Sequence, residues 1–256
     1  MKNEEIKEQR QDLIEGRNAV IEALRAGRAM DKIYLAKGET DKTLGHIASK
    51  ARAAGIVVVE TDRHKLDLMS VTGARQGVIA VCAVREYATI DDILQVARDR
   101  GEDPLVVICD EISDPHNLGA IIRTCEVVGA HGVIVPKRRS AGINAACAKA
   151  AAGALEYLPV AKVSNLQQTI EDLKARGIAV VAADMGGQTM YGTDLVRPTA
   201  IVIGAEGAGI SRMVREQSDC IVSIPQKGRI QSLNASNAAA VLLYEALRQR
   251  GERVIS

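Results

Sequence analysis

Apolar and polar positions in the first third of the chain predict a compact unit of short helices and strands. Val20, Ile21 and Leu24 recur at helical spacing, and Gly27 then marks the end of that helix. Helical patterns also predict helices over residues 42–54 and 65–69. Apolar and β-branched runs predict strands over 32–36, 56–59 and 77–84. We therefore expect a small α/β domain over residues 13–84, preceded by a charged, disordered tail over 1–12.

Residues 85–103 are predicted to form a linker with one amphipathic helix, and residues 104–256 a second domain. In that domain strand patterns alternate with helical patterns. The predicted strands are 105–109, 132–135, 178–183, 200–203 and 220–224. The predicted helices begin at Asn117, Asn144, Leu166 and Ser211, and a last helix ends at Arg250. This alternation predicts a parallel sheet with helices on both faces.

The last helix is more apolar than a surface helix. One face carries Ala235, Ala238, Ala239, Leu242, Leu243 and Ala246. Val241 and Leu247 widen that face. We therefore expect this helix to be buried on more than one side.

The composition limits how the chain could bind RNA or a membrane. The net charge is +1, so no overall positive field attracts nucleic acid. The chain has no Phe or Trp and only five Tyr, so stacking of bases on aromatic side chains is not its main means of binding RNA. No apolar run is long enough to span a bilayer, and the charged N-terminus does not resemble a signal peptide. We expect a cytoplasmic protein.

The cysteines and histidines are scattered along the chain. The five cysteines include no C-x-x-C pair, and the four histidines include no pair at metal-ligand spacing. We expect the cysteines to be reduced and largely buried, and we expect no metal site.

Three segments each follow the end of a predicted strand, contain polar or glycine residues and lead into a predicted helix. They therefore lie at the carboxyl edge of the predicted sheet, where ligands of open α/β sheets bind. In the first segment, Asn117 suits a helix N-cap and Arg123 lies off the buried stripe of its helix. In the second, three glycines over 204–209 have the spacing G-x-x-G-x-G, which differs from the dinucleotide-binding pattern. In the third, serines and asparagines crowd the start of the last helix. Taken singly, each segment also fits an ordinary capped helix or a tight turn.

Taken together, these motifs resemble those of a known family. The chain reads N-x-G-A-I-x-R-T from Asn117, V-I-G-A-E-G-x-G from Val202 and I-P-x-x-G-x-x-x-S-L-N-x-S from Ile224. This order resembles the SpoU (TrmH-type) RNA ribose methyltransferases of the SPOUT superfamily. The opening G-R-N-A-V-I-E-A-L-R from Gly16 resembles the RNA substrate-binding domain of that family. The chain departs from the family's usual residues at Arg75 and Gln226.

The resemblance implies a deep trefoil knot at the C-terminal end of the sheet, a homodimer and S-adenosylmethionine as cofactor. It implies that Gly204, Ile224 and Leu233 bind the cofactor. It implies a catalytic set of Arg123, Asn117, Glu206, Ser232 and Asn234. Because an arginine guanidinium is effectively always protonated, we expect Arg123 to donate hydrogen bonds to the ribose 2′-oxygen and a nearby phosphate rather than to act as a base.

The resemblance is strongest to members that methylate a guanosine of 23S ribosomal RNA. A transfer RNA guanosine and a ribosomal RNA adenosine remain alternative substrates. A non-catalytic RNA-binding protein is a less favoured alternative because the whole catalytic set is present. A nicotinamide-dependent oxidoreductase would need a glycine motif where Asp114–Asn117 stand. Candidate phosphate contacts are Arg17, Arg25, Arg28, Lys137, Arg138 and Arg139.

Overall fold

The computed structural model describes residues 13–38, 41–70, 76–83, 86–229 and 232–251. The chain divides into two compact units: Met1–Glu86 with Gly142–Ala146, and Tyr87–Ala141 with Cys147–Ser256. The predicted tail over 1–12 and the departure at Arg75 lie outside the described residues. No helix of the described ranges is long and apolar enough to cross a membrane.

The first unit contains a four-stranded sheet. Its strands are β1 (Leu13–Glu15), β2 (Met30–Ala36), β3 (Val57–Thr61) and β4 (Val78–Cys82). Their order in the sheet is β1-β4-β2-β3, in which β2 and β3 are parallel and the pairs that include β4 are antiparallel. The helices are α1 (Arg17–Arg25), α2 (Lys42–Ala53) and α3 (Arg63–Met69). Strand β1 is an addition to the sequence prediction, because its three residues are too few to show an alternating pattern.

Each face of this sheet has its own apolar cluster. Val20 of α1 and Ile47 of α2 pack with Ile33 on one face, and Leu66 of α3 packs with Ile79 on the other. Asp41 fixes the start of α2, where its carboxylate accepts hydrogen bonds from the backbone N–H of Thr43 at 2.7 Å and of Leu44 at 3.4 Å. The hydrogen bond from Thr43 is the main reason that the pKa of Asp41 is lowered.

The second unit contains a six-stranded sheet. Its strands are β5 (Leu105–Cys109), β6 (Gly132–Pro136), β7 (Val160–Val163), β8 (Ala179–Thr189), β9 (Thr199–Ile203) and β10 (Cys220–Ser223). Their order is β10-β8-β9-β5-β6-β7, and every neighbouring pair is parallel. The helices after α3 are α4 (Ile90–Arg100), α5 (Pro115–Val127), α6 (Ala145–Ala151), α7 (Leu166–Ala175), α8 (Arg212–Gln217) and α9 (Ala235–Arg250). Short 3₁₀ turns occupy Ala154–Glu156 and Met190–Gly192.

Helices cover both faces of this parallel sheet, as the alternation of elements predicts. Every residue of β5 and β9 is buried. Ile93 of α4, Leu173 of α7 and Val214 of α8 belong to the apolar cluster on one face. On the other face α5 and α9 pack together and contact β6 and β9. The apolar face of α9 is buried at Ala239, Leu242, Leu243 and Ala246, which agrees with its apolar pattern. All five cysteines are free thiols, and four of them are buried.

Three sequence predictions need correction in the second unit. Strand β7 was not predicted, because its four residues follow Pro159 without a clear period. Strand β8 runs to Thr189 and not to 183. Helix α5 begins at Pro115, and its N-cap is Asp114, whose carboxylate accepts a hydrogen bond from the backbone N–H of His116 at 3.0 Å. Asn117, predicted as the cap, therefore lies inside the helix.

Strand β8 is interrupted in the middle. Ala182 pairs with Ile221, but the next residue of β10, Val222, pairs with Gln188. Residues 183–187 consequently have no partner in the register with β10 and form a five-residue bulge of β8, which we call the β8 loop. A Cβ atom on Gly187 would lie 2.2 Å from the backbone oxygen of Ile221, so this re-entry requires glycine.

At the opposite edge of the sheet, His131 is buried in a defined protonation state. Its Nδ1 atom accepts a hydrogen bond from the backbone N–H of Leu105 at 2.9 Å, so the proton resides on Nε2, which lies 3.1 Å from Glu102. Burial is the main reason that the pKa of His131 is lowered. Protonation of Nδ1 would break the bond to Leu105.

We expect stability to fall when the pH drops from 7.5 to 5.5. In the unfolded chain His131 takes up a proton near the ordinary histidine pKa of about 6.5, whereas in the folded protein its pKa is lower. The contribution of His131 to the free energy of unfolding is therefore complete above a pH of about 6.5 and is lost as the pH falls below that value. His131→Asn keeps an acceptor for Leu105 and should lose about 1–3 kcal/mol at pH 7.5, but should show a smaller further loss at pH 5.5. Urea unfolding at both pH values measures this.

The matched control is His46→Asn, because His46 is exposed on α2. This variant should keep the pH dependence of the parent. An equal loss on acidification in the parent and in His131→Asn would contradict the assignment.

Candidate active site

Four segments of the second unit meet at the carboxyl edge of the parallel sheet. One follows β5 (110–114), one is the bulge of β8 (183–187), one follows β9 (204–211) and one follows β10 (described over 224–229 and 232–234). Because the strands are parallel and neighbours in the order β10-β8-β9-β5, these segments lie side by side although they are far apart in sequence.

A cavity of about 570 Å³ lies among the segments of β8, β9 and β10 and the start of α9. The sequence-predicted cofactor residues Gly204, Ile224 and Leu233 all line it. Glu206 and Ser232 of the predicted catalytic set line it as well. Asp184, Met185 and Gly186 contribute from the β8 loop. The volume suits a small-molecule ligand of nucleoside size.

The glycine loop after β9 is closed on itself. Ala205 and Gly209 exchange two backbone hydrogen bonds, at 3.0 Å and 2.9 Å. Gly207 and Gly209 have left-handed backbone conformations. At Gly204 a Cβ atom would lie 2.2 Å from the backbone carbon of Gly209, so no other residue fits without a shift of the loop. The loop therefore places bare backbone along the cavity wall.

Three residues of the predicted catalytic set form one hydrogen-bonded group, which we call the amide–carboxylate triad: Asn117, Glu206 and Asn234. Nδ2 of Asn117 donates to Oε1 of Glu206 at 3.0 Å. Nδ2 of Asn234 donates to Oδ1 of Asn117 at 2.9 Å and also to Oε1 of Glu206. The triad thus joins helix α5 to the segments after β9 and β10.

Helix capping explains why the two asparagines are available for the triad. Asp114 caps α5, so Asn117, three residues further along the chain, is not needed as the cap. Its buried side chain can instead reach Glu206. Asn234 is itself the N-cap of α9, where its Oδ1 accepts from the backbone N–H of Ser236 at 3.0 Å and of Asn237 at 3.3 Å. Its amide nitrogen remains for the triad, so one side chain serves both roles.

The other two predicted catalytic residues lie outside the triad. Ser232 is exposed at the cavity. Arg123 is exposed on α5, and its side chain makes no hydrogen bond or ion pair with any residue that the structure describes. It follows Asn117 by six positions, which separates the two side chains by about 120° around the helix. Arg123 is therefore not joined to the triad within one chain.

Two carboxylates at this edge had no role in the sequence analysis. Asp184 lines the cavity and accepts from Nη2 of Arg215 at 2.5 Å and from the backbone N–H of Met185 at 2.7 Å. Asp110 is buried, which raises its pKa, and it accepts from the backbone N–H of Ser211 at 2.6 Å. Each directly follows a buried strand segment, so the rule that ligands bind at carboxyl edges could have indicated both.

The predicted phosphate contacts differ in their present partners. Arg17 pairs with Asp41 at 2.6 Å, Arg25 with Glu22 at 2.7 Å and Arg139 with Glu111 at 2.9 Å. Within the described ranges no ion pair is found for Arg28, Lys137 or Arg138. No group of three or more histidine, cysteine, aspartate or glutamate side chains arranged for a metal ion occurs in the part of the chain that the structure describes.

These features define the class: an α/β protein with a ligand cavity between glycine-rich and amide-rich loops at the carboxyl edge of a parallel sheet. Residues 104–244 match the SpoU rRNA methylase family, and residues 13–88 match the RNA 2′-O ribose methyltransferase substrate-binding family. The chain belongs to the SpoU (TrmH) family of RNA methyltransferases.

Relatives with this organisation occur in several bacteria. YacO of Bacillus subtilis (strain 168), named as a TrmH-family tRNA/rRNA methyltransferase, is 44% identical over 94% of this chain and 97% of its own length. A tRNA/rRNA methyltransferase of Mycolicibacterium gilvum (strain PYR-GCK) is 43% identical over 93% of this chain and 77% of its own length.

Solved structures show the same fold. The SpoU methyltransferase AviRb of Streptomyces viridochromogenes, in complex with AdoMet, has a TM-score of 0.59 at 29% identity and covers 93% of this chain and 90% of its own. The AdoMet-bound rRNA methyltransferase of Sinorhizobium meliloti has a TM-score of 0.57 at 26% identity and covers 95% and 88%.

We expect Gly204→Ala to destabilise the fold by about 1–3 kcal/mol, because the new methyl group must push the backbone of Gly209 aside. Gly192→Ala is the matched control, since a Cβ atom there meets nothing closer than the Thr189 hydroxyl at 4.0 Å. Its effect should stay within about 0.5 kcal/mol. Denaturant unfolding of both variants measures the difference, and equal stability of the two would contradict the tight closure of the loop.

Proposed function

We propose that this protein transfers a methyl group from S-adenosylmethionine to the ribose 2′-hydroxyl of a specific RNA nucleotide. The observation that carries the proposal is the position of Glu206, which lines the cavity and bonds both asparagines of the triad. Glu206 therefore belongs both to the small-molecule cavity and to the amide–carboxylate triad, whose polar groups suit a hydroxyl substrate. The match of residues 13–88 to a ribose methyltransferase substrate-binding family supports the ribose as acceptor.

The cavity fits S-adenosylmethionine in size and in chemistry. Its volume lies in the range of small-molecule sites, and its wall combines bare glycine backbone with the apolar side chains of Ile224 and Leu233. We assign cofactor binding to Gly204, Ile224 and Leu233. When bound, S-adenosylmethionine supplies an electrophilic methyl group on a positively charged sulfur. AdoMet in the similar solved structures of AviRb and the Sinorhizobium enzyme supports this assignment.

On the substrate side, we assign to Arg123 the stabilisation of negative charge that develops on the 2′-oxygen. Its guanidinium is planar, always charged and without a partner among the described residues, so it can bind the ribose oxygen and an adjacent phosphate. Asn117 orients the ribose, while Ser232 and Asn234 shape the nucleotide site. Because Arg123 is not joined to the triad of its own chain, we propose that it serves a site completed by a second copy in a homodimer.

Further parts of the proposal rest on the family resemblance. They are a trefoil knot in the region of β9, β10 and α9, and a cytoplasmic location. They also include the division into an RNA substrate-binding domain over 13–84, a linker with one helix over 85–103 and a catalytic domain over 104–256. The candidate phosphate contacts in the two domains are those named above. Light scattering of the purified protein tests the dimer.

For the substrate we propose a guanosine of 23S ribosomal RNA. Transfer RNA is the alternative, because relatives over 40% identical are named as tRNA/rRNA methyltransferases without a choice between the two.

The test of this function has two arms. Calorimetry should show binding of S-adenosylmethionine and S-adenosylhomocysteine, but not of NAD, because the glycine spacing is not that of a dinucleotide site. Ribose-methylation mapping of ribosomal and transfer RNA, with and without the gene, should reveal one lost 2′-O-methyl mark. Absence of heat with both methyl-donor species, or an unchanged methylation map, would refute the proposal.

We expect Arg123→Ala to abolish methylation while cofactor affinity stays within about threefold of the parent, because Arg123 acts on the ribose side. Arg123→Lys should restore little activity, since a point charge does not reproduce the planar fork of the guanidinium. Arg138→Ala is the control on another exposed arginine, where weaker RNA binding with an intact rate at saturating RNA is expected. Near-normal turnover of either Arg123 variant would remove this residue from catalysis.

A further inference from the structure

Methyl transfer to a hydroxyl group releases one proton, and the proposed function above leaves its acceptor unassigned. Arg123 is excluded as the acceptor because its guanidinium already carries its proton. The amides of Asn117 and Asn234 are very weak bases, and the hydroxyl of Ser232 is no better. Among the five members of the catalytic set, only Glu206 carries a carboxylate, the kind of group that acts as a general base.

The two carboxylate oxygens of Glu206 have different surroundings. Oε1 accepts hydrogen bonds from Nδ2 of Asn117, at 3.0 Å, and from Nδ2 of Asn234. Oε2 has no hydrogen-bond donor among the residues that the structure describes. The side chain is exposed and lines the cavity. The triad therefore fixes the orientation of this carboxylate through one oxygen and leaves the other oxygen open to a ligand.

The other nearby carboxylates are already engaged. Asp184, which also lines the cavity, is paired with Arg215 at 2.5 Å and bonds the backbone N–H of Met185. Asp110 is buried and holds Ser211 at the start of α8. Glu111 pairs with Arg139. Neither Asp110 nor Glu111 lines the cavity. Of the two carboxylates in the described lining, Asp184 has both oxygens engaged, whereas Glu206 has one oxygen held by the asparagines and one without a donor.

We propose that Oε2 of Glu206 is the proton acceptor of the methyl transfer, an inference that rests on the proposed function. As the 2′-hydroxyl O–H bond breaks, its proton passes to Oε2. The hydroxyl oxygen forms the new bond to the methyl carbon and displaces sulfur, which keeps the electron pair of the broken carbon–sulfur bond and becomes a neutral thioether. Glu206, now a neutral acid, returns the proton to water after the product leaves.

Besides the roles toward the ribose and the nucleotide proposed above, Asn117 and Asn234 are positioning residues for the proton transfer, since they act on the proton only through Glu206. Their two donors hold Oε1, so the proton is directed to Oε2. The role of Arg123 complements that of Glu206, because Arg123 stabilises the charge on the oxygen while the carboxylate removes the proton.

Glu206→Gln tests the proposal, because glutamine keeps an oxygen that can accept from both asparagines but is a very weak base. Single-turnover methyl transfer, with enzyme in excess over RNA, should slow by about 10²-fold or more, the usual size of a general-base contribution. Affinity for S-adenosylhomocysteine by calorimetry, and for RNA by filter binding, should stay within about threefold. Glu216→Gln on α8 is the control, since Glu216 is exposed, pairs with Arg212 and does not line the cavity.

Glu206→Ala supplies a second, independent readout. Added formate can occupy the space of the lost carboxylate and should restore activity by about tenfold, as a small external base. Formate should not rescue Glu206→Gln, where the amide fills that space. Rescue of this kind is not expected from a residue that only supports the loop.

Two results would overturn this inference and leave the proposed function standing. The first is a Glu206→Gln rate within about threefold of the parent. The second is a loss of rate that is matched by a loss of S-adenosylhomocysteine affinity, together with no formate rescue of Glu206→Ala. The second result would make Glu206 a binding residue. A parent protein that methylates no RNA would instead overturn the proposed function itself, and this inference with it.

Discussion

The parallel pairing of β10, β8, β9 and β5 is the constraint on which the site depends. Parallel strands must end at the same edge, so residues near 117, 184, 206 and 234 become neighbours without any local sequence relationship. The order of the strands matters as much as their direction. Because β9 lies between β8 and β5, its glycine loop contacts the cavity on one side and the triad on the other.

The glycine loop illustrates how backbone geometry and side-chain chemistry share one short segment. Gly204 allows the chain to return within contact distance of Gly209, and the left-handed conformation at Gly207 completes the return. This closure places Glu206 at the tip, where Asn117 and Asn234 hold its carboxylate. A flexible loop would leave that carboxylate in several orientations, whereas the reciprocal bonds between Ala205 and Gly209 restrict it.

Apart from Glu206, the residues that line the cavity and the residues proposed to act on the ribose come from different strands of the sheet. The segments of β8 and β10 contribute mainly small and apolar residues to the cavity, together with the polar Asp184, Ser223 and Gln226. The segment after β5 leads into α5, which carries Asn117 and, further along, Arg123. In the proposed reaction the methyl donor occupies the cavity, the ribose lies at the triad, and Glu206 is the point where the two meet. A homodimer would bring Arg123 to this point from a second chain.

Local patterns determined much of this protein. Alternation of strands and helices predicts the parallel sheet, and the apolar stripe of α9 predicts its burial. The three polar segments of the predicted site are recognisable because each follows a predicted strand and leads into a predicted helix. Patterns failed where a segment is short, as in β1 and β7. They also failed where capping is ambiguous, since Asp114 and Asn117 are both acceptable N-caps and only the packed helix shows that Asp114 has that role.

Tertiary structure alone decided the rest, because the deciding interactions join residues far apart in the chain. The five-residue interruption of β8, which brings Asp184 to the cavity, follows from pairing with β10 and has no sequence period. The union of Asn117, Glu206 and Asn234 spans 117 positions, and the separation of Arg123 from it follows from the pitch of α5. Sequence specifies which residues can hydrogen-bond, whereas the parallel sheet specifies which of them meet.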